Sequence, residues 1–329
     1  MKKTLIALAV LGVAGMAQAQ SSVTIYGAVD INYKKESGSS VTMDERYNNR
    51  LGFMGQEALG GGLYATFQLE HRFQLQAGKD NNGRGDFEGA ANVGLKGNFG
   101  QVRFGRVNEL STETYRQIDP FQQYGVAGMF ESYLRGNDGE GRLSYTARYD
   151  SLNYSGFKFG ASYTVKNNTD AAMGYPGAPN NGWAVSGTYT NGPVYVVANY
   201  NKAVNSTDSY NWNLGGAYAF GPAKLSLGYE QTELEMGLPA QQKNWIVGLA
   251  YTVGYGVVNA SYNDGRTRAD VGPLDLRLKQ YALGYTYNLS KRTAVYANYA
   301  HLKLDVSGIQ DLPISASESK YELGITHKF

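Results

Sequence analysis

The 329-residue chain contains no cysteine, only three histidines and only eight prolines. Without thiols it has no thiolate nucleophile and no cysteine ligands for a metal, and oxidants have nothing to pair. His71, His301 and His327 show no metal-ligand spacing, and no serine–histidine–acid constellation can be assembled around them. Also missing is any later stretch of the ~18 unbroken apolar residues that a membrane helix requires. Charge of one sign is absent too, with 30 basic against 28 acidic residues. Removing Lys2 and Lys3 with a leader would leave 28 of each. Near-neutrality argues against a nucleic-acid partner, and nothing points to a cofactor.

What is abundant is glycine, 42 residues, and tyrosine, 27 residues. These suit twisted strands, tight turns and membrane-interface aromatics. The N-terminus reads as a secretory signal over 1–19: Lys2 and Lys3, an apolar stretch from Leu5 to Met16, then Ala17-Gln18-Ala19. Such a segment is too short for a comfortable spanning helix and ends on small residues suited to cleavage. Mature protein is expected to begin at Gln20.

From there the dominant period is two. In Ser22 to Tyr33 one face carries Val23, Ile25, Gly27, Val29, Ile31 and Tyr33, and the other Ser22, Thr24, Tyr26, Ala28, Asp30 and Asn32. Successive strand side chains point to opposite faces, so each such strand is apolar on one side. Similar segments recur to Tyr321–Phe329, giving about sixteen strands. Short turn-like connectors such as Gly60-Gly61-Gly62 and Gly221-Pro222 alternate with long polar ones. The long set is expected at Lys34–Asn49, Gln74–Gly89, Lys166–Asn181, Gln231–Lys243, Asp264–Lys279 and Lys303–Lys320. A membrane can be crossed only by helices or a closed barrel, and loops sorted by length to two ends are the barrel's asymmetry. The fold class is therefore all-β: one transmembrane antiparallel β-barrel over 20–329, in the outer membrane. The last strand, ending on Phe329, fits the aromatic-ended signal of barrel insertion.

Alternation assigns charges to the lumen. Leu51 and Phe53 facing lipid put Arg50 inside; Leu63 to Leu69 do so for Glu70 and Arg72. Likewise Lys96, Arg103, Arg142, Arg148 and Lys158 fall on the inner face. A charge on the lipid face near the midplane would cost ~2–4 kcal/mol, so the alternation is enforced. On these early strands basic residues outnumber acidic ones. One connection, between Gly105 and Arg142, is long enough to be functional. It carries Glu109, Glu113, Asp119 and Glu131 beside Arg116 and Arg135. It is either a mobile surface loop or an infolded one that narrows the lumen. If infolded, its carboxylates face the wall's cations across water, a field that sets ion preference without tight binding.

The chain resembles the general porins of Gram-negative bacteria, most nearly the branch that includes neisserial porins. The residues that carry the likeness begin at Val23-Thr24-Ile25-Tyr26-Gly27 and Arg50-Leu51-Gly52-Phe53-Met54-Gly55-Gln56-Glu57. They continue through Val93-Gly94-Leu95-Lys96-Gly97, Val102-Arg103-Phe104-Gly105-Arg106 and Asp119-Pro120-Phe121 to His327-Lys328-Phe329. The resemblance implies a homotrimer of 16-stranded barrels, embedded among lipid and lipopolysaccharide, passing ions and small hydrophilic solutes. It implies that the third external loop, Val107 to Gly141, narrows each pore. The expected constriction wall is Arg50, Arg72, Lys96, Arg103, Arg106, Arg142 and Arg148, faced by Glu109, Glu113 and Asp119. Phe87-Glu88-Gly89-Ala90 departs from an Arg-Gln pair common in relatives, and Ala58 from an acidic turn residue.

Three rival readings stand beside this one. A barrel enzyme lacks a catalytic cluster. A substrate-specific channel would line its path with aromatics, for which Tyr26, Tyr64 and Tyr195 are candidates. An adhesin reading has only the tripeptide Arg84-Gly85-Asp86, a match expected by chance. The reading retained is a diffusion channel with modest preference for anions.

Overall fold

The computed structural model describes residues 21–80, 85–129, 141–166, 180–203, 208–235, 239–308 and 314–329. The signal expected at 1–19, Arg84 of the tripeptide, Glu131 and Arg135 lie outside the described residues. Among the described residues, sixteen long strands form one closed antiparallel barrel. The first six are β1 (Ser22–Glu36), β2 (Arg50–Gly60), β3 (Leu63–Gln74), β4 (Ala90–Gly97), β5 (Gly100–Asn108) and β6 (Arg142–Asp150). Next come β7 (Phe157–Thr164), β8 (Gly182–Asn191), β9 (Val194–Lys202), β10 (Tyr210–Phe220) and β11 (Ala223–Leu234). The last are β12 (Ala240–Val253), β13 (Gly256–Ala269), β14 (Asp275–Asn288), β15 (Thr293–Ser307) and β16 (Ile314–Lys328). Two short pieces, Thr42–Asp44 and Lys79–Asp80, decorate the long-loop end. Every strand pairs with its sequence neighbours, and β16 closes on β1 from Ala28↔Lys328 to Glu36↔Lys320. Gly27 and Phe329 exchange backbone hydrogen bonds of 3.0 and 3.1 Å at the seam. Closure leaves no edge unpaired in lipid.

The two faces follow the alternation. Along β12, outward Val247 is 50% exposed whereas inward Ile246 is 1%. Outward aromatics gather in two girdles. Tyr229–Trp245, Tyr262–Tyr281 and Tyr299–Tyr321, with ring centroids 4.5, 4.9 and 4.9 Å apart, mark the long-loop end. Phe157–Tyr189 and Tyr218–Phe220 mark the other.

The wall is not of even height. Strands β12 to β16 have 14 or 15 residues, while β2 to β11 have 8 to 12. About 9–11 residues suffice to cross a bilayer, so this side stands above it. The connectors expected at Gln231–Lys243, Asp264–Lys279 and Lys303–Lys320 are therefore largely strand. Their alternation continues but reverses sense: Leu276, Leu278 and Leu304 turn inward while Arg266, Arg277 and Lys303 point out. Outside the hydrocarbon the rule that apolar means outward no longer holds.

Candidate functional site

Between β5 and β6 the chain turns into the barrel. Gly105 makes this possible: its φ is +125°, and a Cβ there would collide with the Ala91 carbonyl oxygen. Only glycine tolerates that conformation cheaply, and the register with β6 shifts between Gly105 and Val107, a bulge that bends the strand. A short helix, α1 (Leu110–Tyr115), and a 3-10 turn (Arg116–Ile118) follow. The Asp119 carboxylate then gathers the backbone N–H groups of Phe121, Gln123 and Met129 at 2.9, 2.7 and 2.8 Å. That side chain folds the loop on itself. Glu109 likewise accepts from Ser111 at 2.9 Å and from Asn201 of β9 at 2.6 Å.

The loop lies against strands β7 to β15, and the wall there is stripped of side chains to receive it. A Cβ on Gly160 would meet Leu110 at 2.5 Å, and one on Gly215 would meet Ile118 at 2.7 Å. At Gly228 it would collide with the Tyr115 hydroxyl, at Gly248 it would meet Pro120 at 2.6 Å, and at Gly284 Phe121 at 2.8 Å. Tyr115, Ile118 and Met129 pack with Val197 and Ile246 into an apolar core inside the barrel. Tyr195 Oη donates to the Thr114 carbonyl at 2.7 Å and Ser226 Oγ to that of Ile118 at 2.6 Å. Loop and far wall thus form one packed unit.

Across the gap stands the charged wall. A polar cavity of about 390 Å³ is lined by Arg50, Arg72, Arg103 and Arg142 from the strands, with Arg116 and Glu113 from the loop. Arg50 and Arg72 are register partners, as are Arg103 and Arg148. Like charges side by side are unfavourable, and acids interleave them. Glu70 accepts from Arg72 Nε at 3.1 Å and lies 3.7 Å from Arg50 Nε. Asp150 pairs with Arg103 and Arg148, each at 2.7 Å. Arg148 also reaches Glu113 at 2.5 Å, tying wall to loop.

Two tyrosines close the cavity on one side. Tyr47 and Tyr124 are in contact, ring centroids 4.4 Å apart, and they line a second cavity of about 380 Å³ at the short-turn end. Arg50 donates to Tyr47 Oη at 3.0 Å and Arg116 to Tyr124 Oη at 2.8 Å. The second cavity is also basic, with Arg46, Lys224, Lys291, Arg292 and Lys328. The segment before Arg50 is held inward by Asp30, which accepts from the Arg46 N–H at 2.7 Å. Burial, with Asp44 and Asp30 nearby, pushes the Glu45 carboxyl up to about 7 against hydrogen bonds from Asn49.

An edge-free cylinder, a loop seated within it and a charged cavity beside that loop describe a channel. The sequence matches the family described as Gram-negative porin over residues 4–307. The chain belongs to that family. It is 35% identical to outer membrane porin protein 32 of Delftia acidovorans, with all of both chains covered. It is 30% identical to an outer membrane porin protein of Bordetella pertussis, again over all of both chains. Its fold matches an anion-selective porin from Comamonas acidovorans at TM-score 0.77 and 27% identity, covering 94% of this chain and 100% of that one. The protein is an outer-membrane porin, a multi-pass barrel that serves transport.

The residues read from the porin's sequence distribute unevenly. Arg50, Arg72, Arg103, Arg142 and Glu113 meet in the first cavity, and Arg148 stands behind it, held by Asp150 and Glu113. Lys96 sits exposed beside the short turn to β5 and lines neither cavity. Arg106, at the bulge beside Gly105, lines neither cavity and donates to the Glu88 carbonyl at 2.6 Å and to Ser144 at 3.0 Å. Glu109 and Asp119 are buried and engaged with the loop and far wall rather than aimed across the gap. Tyr26 and Tyr195 do face inward; Tyr26 donates to Glu70 at 3.0 Å. Sequence reading passed over Tyr47 and Tyr124, because aromatic rings in polar loops carry no periodic signal. It also passed over Asp150, although strand parity puts it inside.

Proposed function

We propose that this porin is a general-diffusion channel with modest anion preference. The observation that carries the reading is the first cavity's surplus: five guanidinium groups (Arg50, Arg72, Arg103, Arg116, Arg142) against two carboxylates (Glu70, Glu113). The second cavity extends the basic path with Arg46, Lys224, Lys291, Arg292 and Lys328. A solute anion meets positive potential on both sides of the Tyr47–Tyr124 pair, and focusing between low-dielectric walls raises its local concentration. Many of these cations have protein partners, so attraction stays weak enough for release. The named wall residues, with Glu113 opposite, set this field. Glu109 and Asp119 act indirectly, by holding the loop in place.

The test is the reversal potential of single channels in a planar bilayer under a salt gradient. Anion selectivity that weakens as salt rises is expected, since the Debye length is ~8 Å at physiological strength and ~3 Å at 1 M. Clear cation selectivity overturns the assignment. We read the assembly as a homotrimer among lipid and lipopolysaccharide, for which three equal closing steps in the same recording are expected. Residues 1–19 are read as a cleaved signal and 20–329 as the barrel, so N-terminal sequencing of membrane protein should begin at Gln20. No catalytic role is assigned: His71, His301 and His327 bond separately to Asp86, Ser319 and Thr293.

A further inference from the structure

We propose that Tyr47 and Tyr124 form a neck in the channel, a second constriction through which the first external connection, and not the long loop alone, sets the size of solute that passes. This rests on the channel reading above. The two cavities have two lining residues in common, and these are Tyr47 and Tyr124. Along the chain, Arg46 lines the second cavity, Tyr47 both, and Asn48 the first. On the loop, Arg116 lines the first, Gln117 the second, and Tyr124 both. Each segment therefore crosses from one cavity to the other at its tyrosine. The two rings touch there, with centroids 4.4 Å apart. An ion moving from one basic chamber to the other passes this pair.

Strand geometry aims Tyr47 into the bore. The short piece Thr42–Asp44 pairs with β1 as far as Asn32↔Asp44, and β2 takes over at Ala28↔Arg50. Five residues, 45–49, thus stand opposite three, 29–31. The surplus bulges inward, and a bulge of this kind re-aims a side chain toward a functional site. Asp30 pins its base: its N–H donates to Asn49 Oδ1 at 2.5 Å, and its carboxylate accepts from the Arg46 N–H at 2.7 Å. The Arg46 guanidinium lies 3.6 Å from the centroid of the Tyr296 ring. On the loop side, Gln122 and Gln123 hold φ of +57° and +63°, a left-handed turn that residues with a Cβ adopt uncommonly. Such strain persists only where surrounding contacts fix it. The Asp119 carboxylate does so through the Gln123 N–H, and that turn delivers Tyr124.

Charge crosses the neck along the rings. Arg50, in the first cavity, lies 4.5 Å from the Tyr47 centroid, and Lys328, in the second, lies 4.7 Å from it. Arg116 lies 4.8 Å from the Tyr124 centroid. Arg50 and Lys328 are thus within ~9 Å of each other, near the screening length at physiological salt. An anion released by one already feels the other. The negative face of an aromatic ring lets cations approach it closely. On the charged wall Glu70 and Asp150 separate the cations. Here a neutral ring does so, and it adds no negative charge to the path while keeping the passage narrow.

The test records single channels of the full-length protein in planar bilayers and follows the swelling of liposomes in neutral sugars of graded size. Tyr47→Ala should raise conductance about twofold and admit larger sugars, because the width of the path governs both. Its anion preference should fall, since a wider neck holds more screening salt. Tyr47→Trp should conduct less than wild type, and Tyr47→Phe, which returns the ring, should reverse the gain seen with alanine. Tyr124→Ala removes the same contact from the loop side, so the double variant should gain less than the two single gains combined. Wild-type conductance and sugar cut-off in both alanine variants, or an order that ignores side-chain size, overturns the proposal. Where an alanine variant does not fold, Tyr47→Cys in this otherwise cysteine-free chain carries the test. A sulfonate-bearing methanethiosulfonate should cut its conductance and a reductant restore it; unchanged current overturns the neck. A conducting barrel indifferent to both tyrosines sinks the neck alone, whereas a barrel without conductance sinks the channel reading.

Discussion

The lumen has two walls built on the same two-residue rhythm, and they use it in opposite ways. On β2 to β6 the inward positions carry long charged side chains, Arg50, Arg72, Arg103, Arg142 and Arg148, spaced by Glu70 and Asp150. On β7 to β14 the corresponding positions hold mainly glycine, serine, alanine and asparagine, and a loop fills the space they leave, packing on Val197 and Ile246. One wall supplies charge and the other supplies room. A field across a gap needs both, because the loop can oppose the cations only if something holds it against its own mobility. The comparison teaches that the residues without side chains matter to selectivity as much as those with charge.

The strongest way to break the contrast is to reverse the charged wall. Arg50→Glu with Arg142→Glu changes the first cavity from five cations and two acids to three and four. The reversal potential should change sign toward cations, while heat-resistant folded protein on gels confirms a formed barrel. Next in size is filling the vacant wall. Gly215→Leu with Gly228→Leu would drive side chains into Ile118 and the Tyr115 hydroxyl. Overpacking of this kind costs about 1–3 kcal/mol per site, and the loop should be displaced rather than the barrel. Noisy conductance and weakened selectivity are the expected record; unchanged traces would mean that the loop does not need its seat.

A second way to displace the loop is to untie it from within. Asp119→Ala leaves the amides of Phe121, Gln123 and Met129 without their acceptor. Each buried donor left unmade costs about 1–3 kcal/mol, so protease should nick the loop faster in the variant than in the wild type. The smallest effect is a pH step. Glu45, raised by burial to about 7, is largely neutral at pH 6 and largely ionised at pH 8. Anion preference should therefore decline slightly as pH rises through 7, and Glu45→Gln should flatten the profile.

Much of this was legible in the residues. Leu51, Phe53, Leu69, Phe104 and Leu143 read as outward were enough to put Arg50, Arg72, Arg103 and Arg142 on the inner face, because hydrocarbon enforces the alternation. The length of the segment after Gly105 marked it as functional, though length alone does not say that it folds inward. Where the enforcing solvent ended, so did the reading. At Asp264–Lys279 charged residues alternating with leucines looked like loop, since nothing in a sequence says where the bilayer stops. The roles of Glu109 and Asp119 were hidden for another reason. A carboxylate in a loop serves equally as a field source or a backbone clamp, and only the position of the amides decides. Glycine, too, signals turns by default; that Gly215 and Gly228 yield space to a distant tyrosine depends on contacts no local pattern records.

The row of glycines beneath the loop also limits how this porin can diversify. Glycine is the smallest residue there is, so the barrel side of that interface can drift only toward bulk, which the fit rejects. Any inherited adjustment of bore on that side must then be written in the visiting segment, at Leu110, Tyr115, Ile118 or Pro120. Among descendants of this chain, the floor should stay bare while the occupant changes.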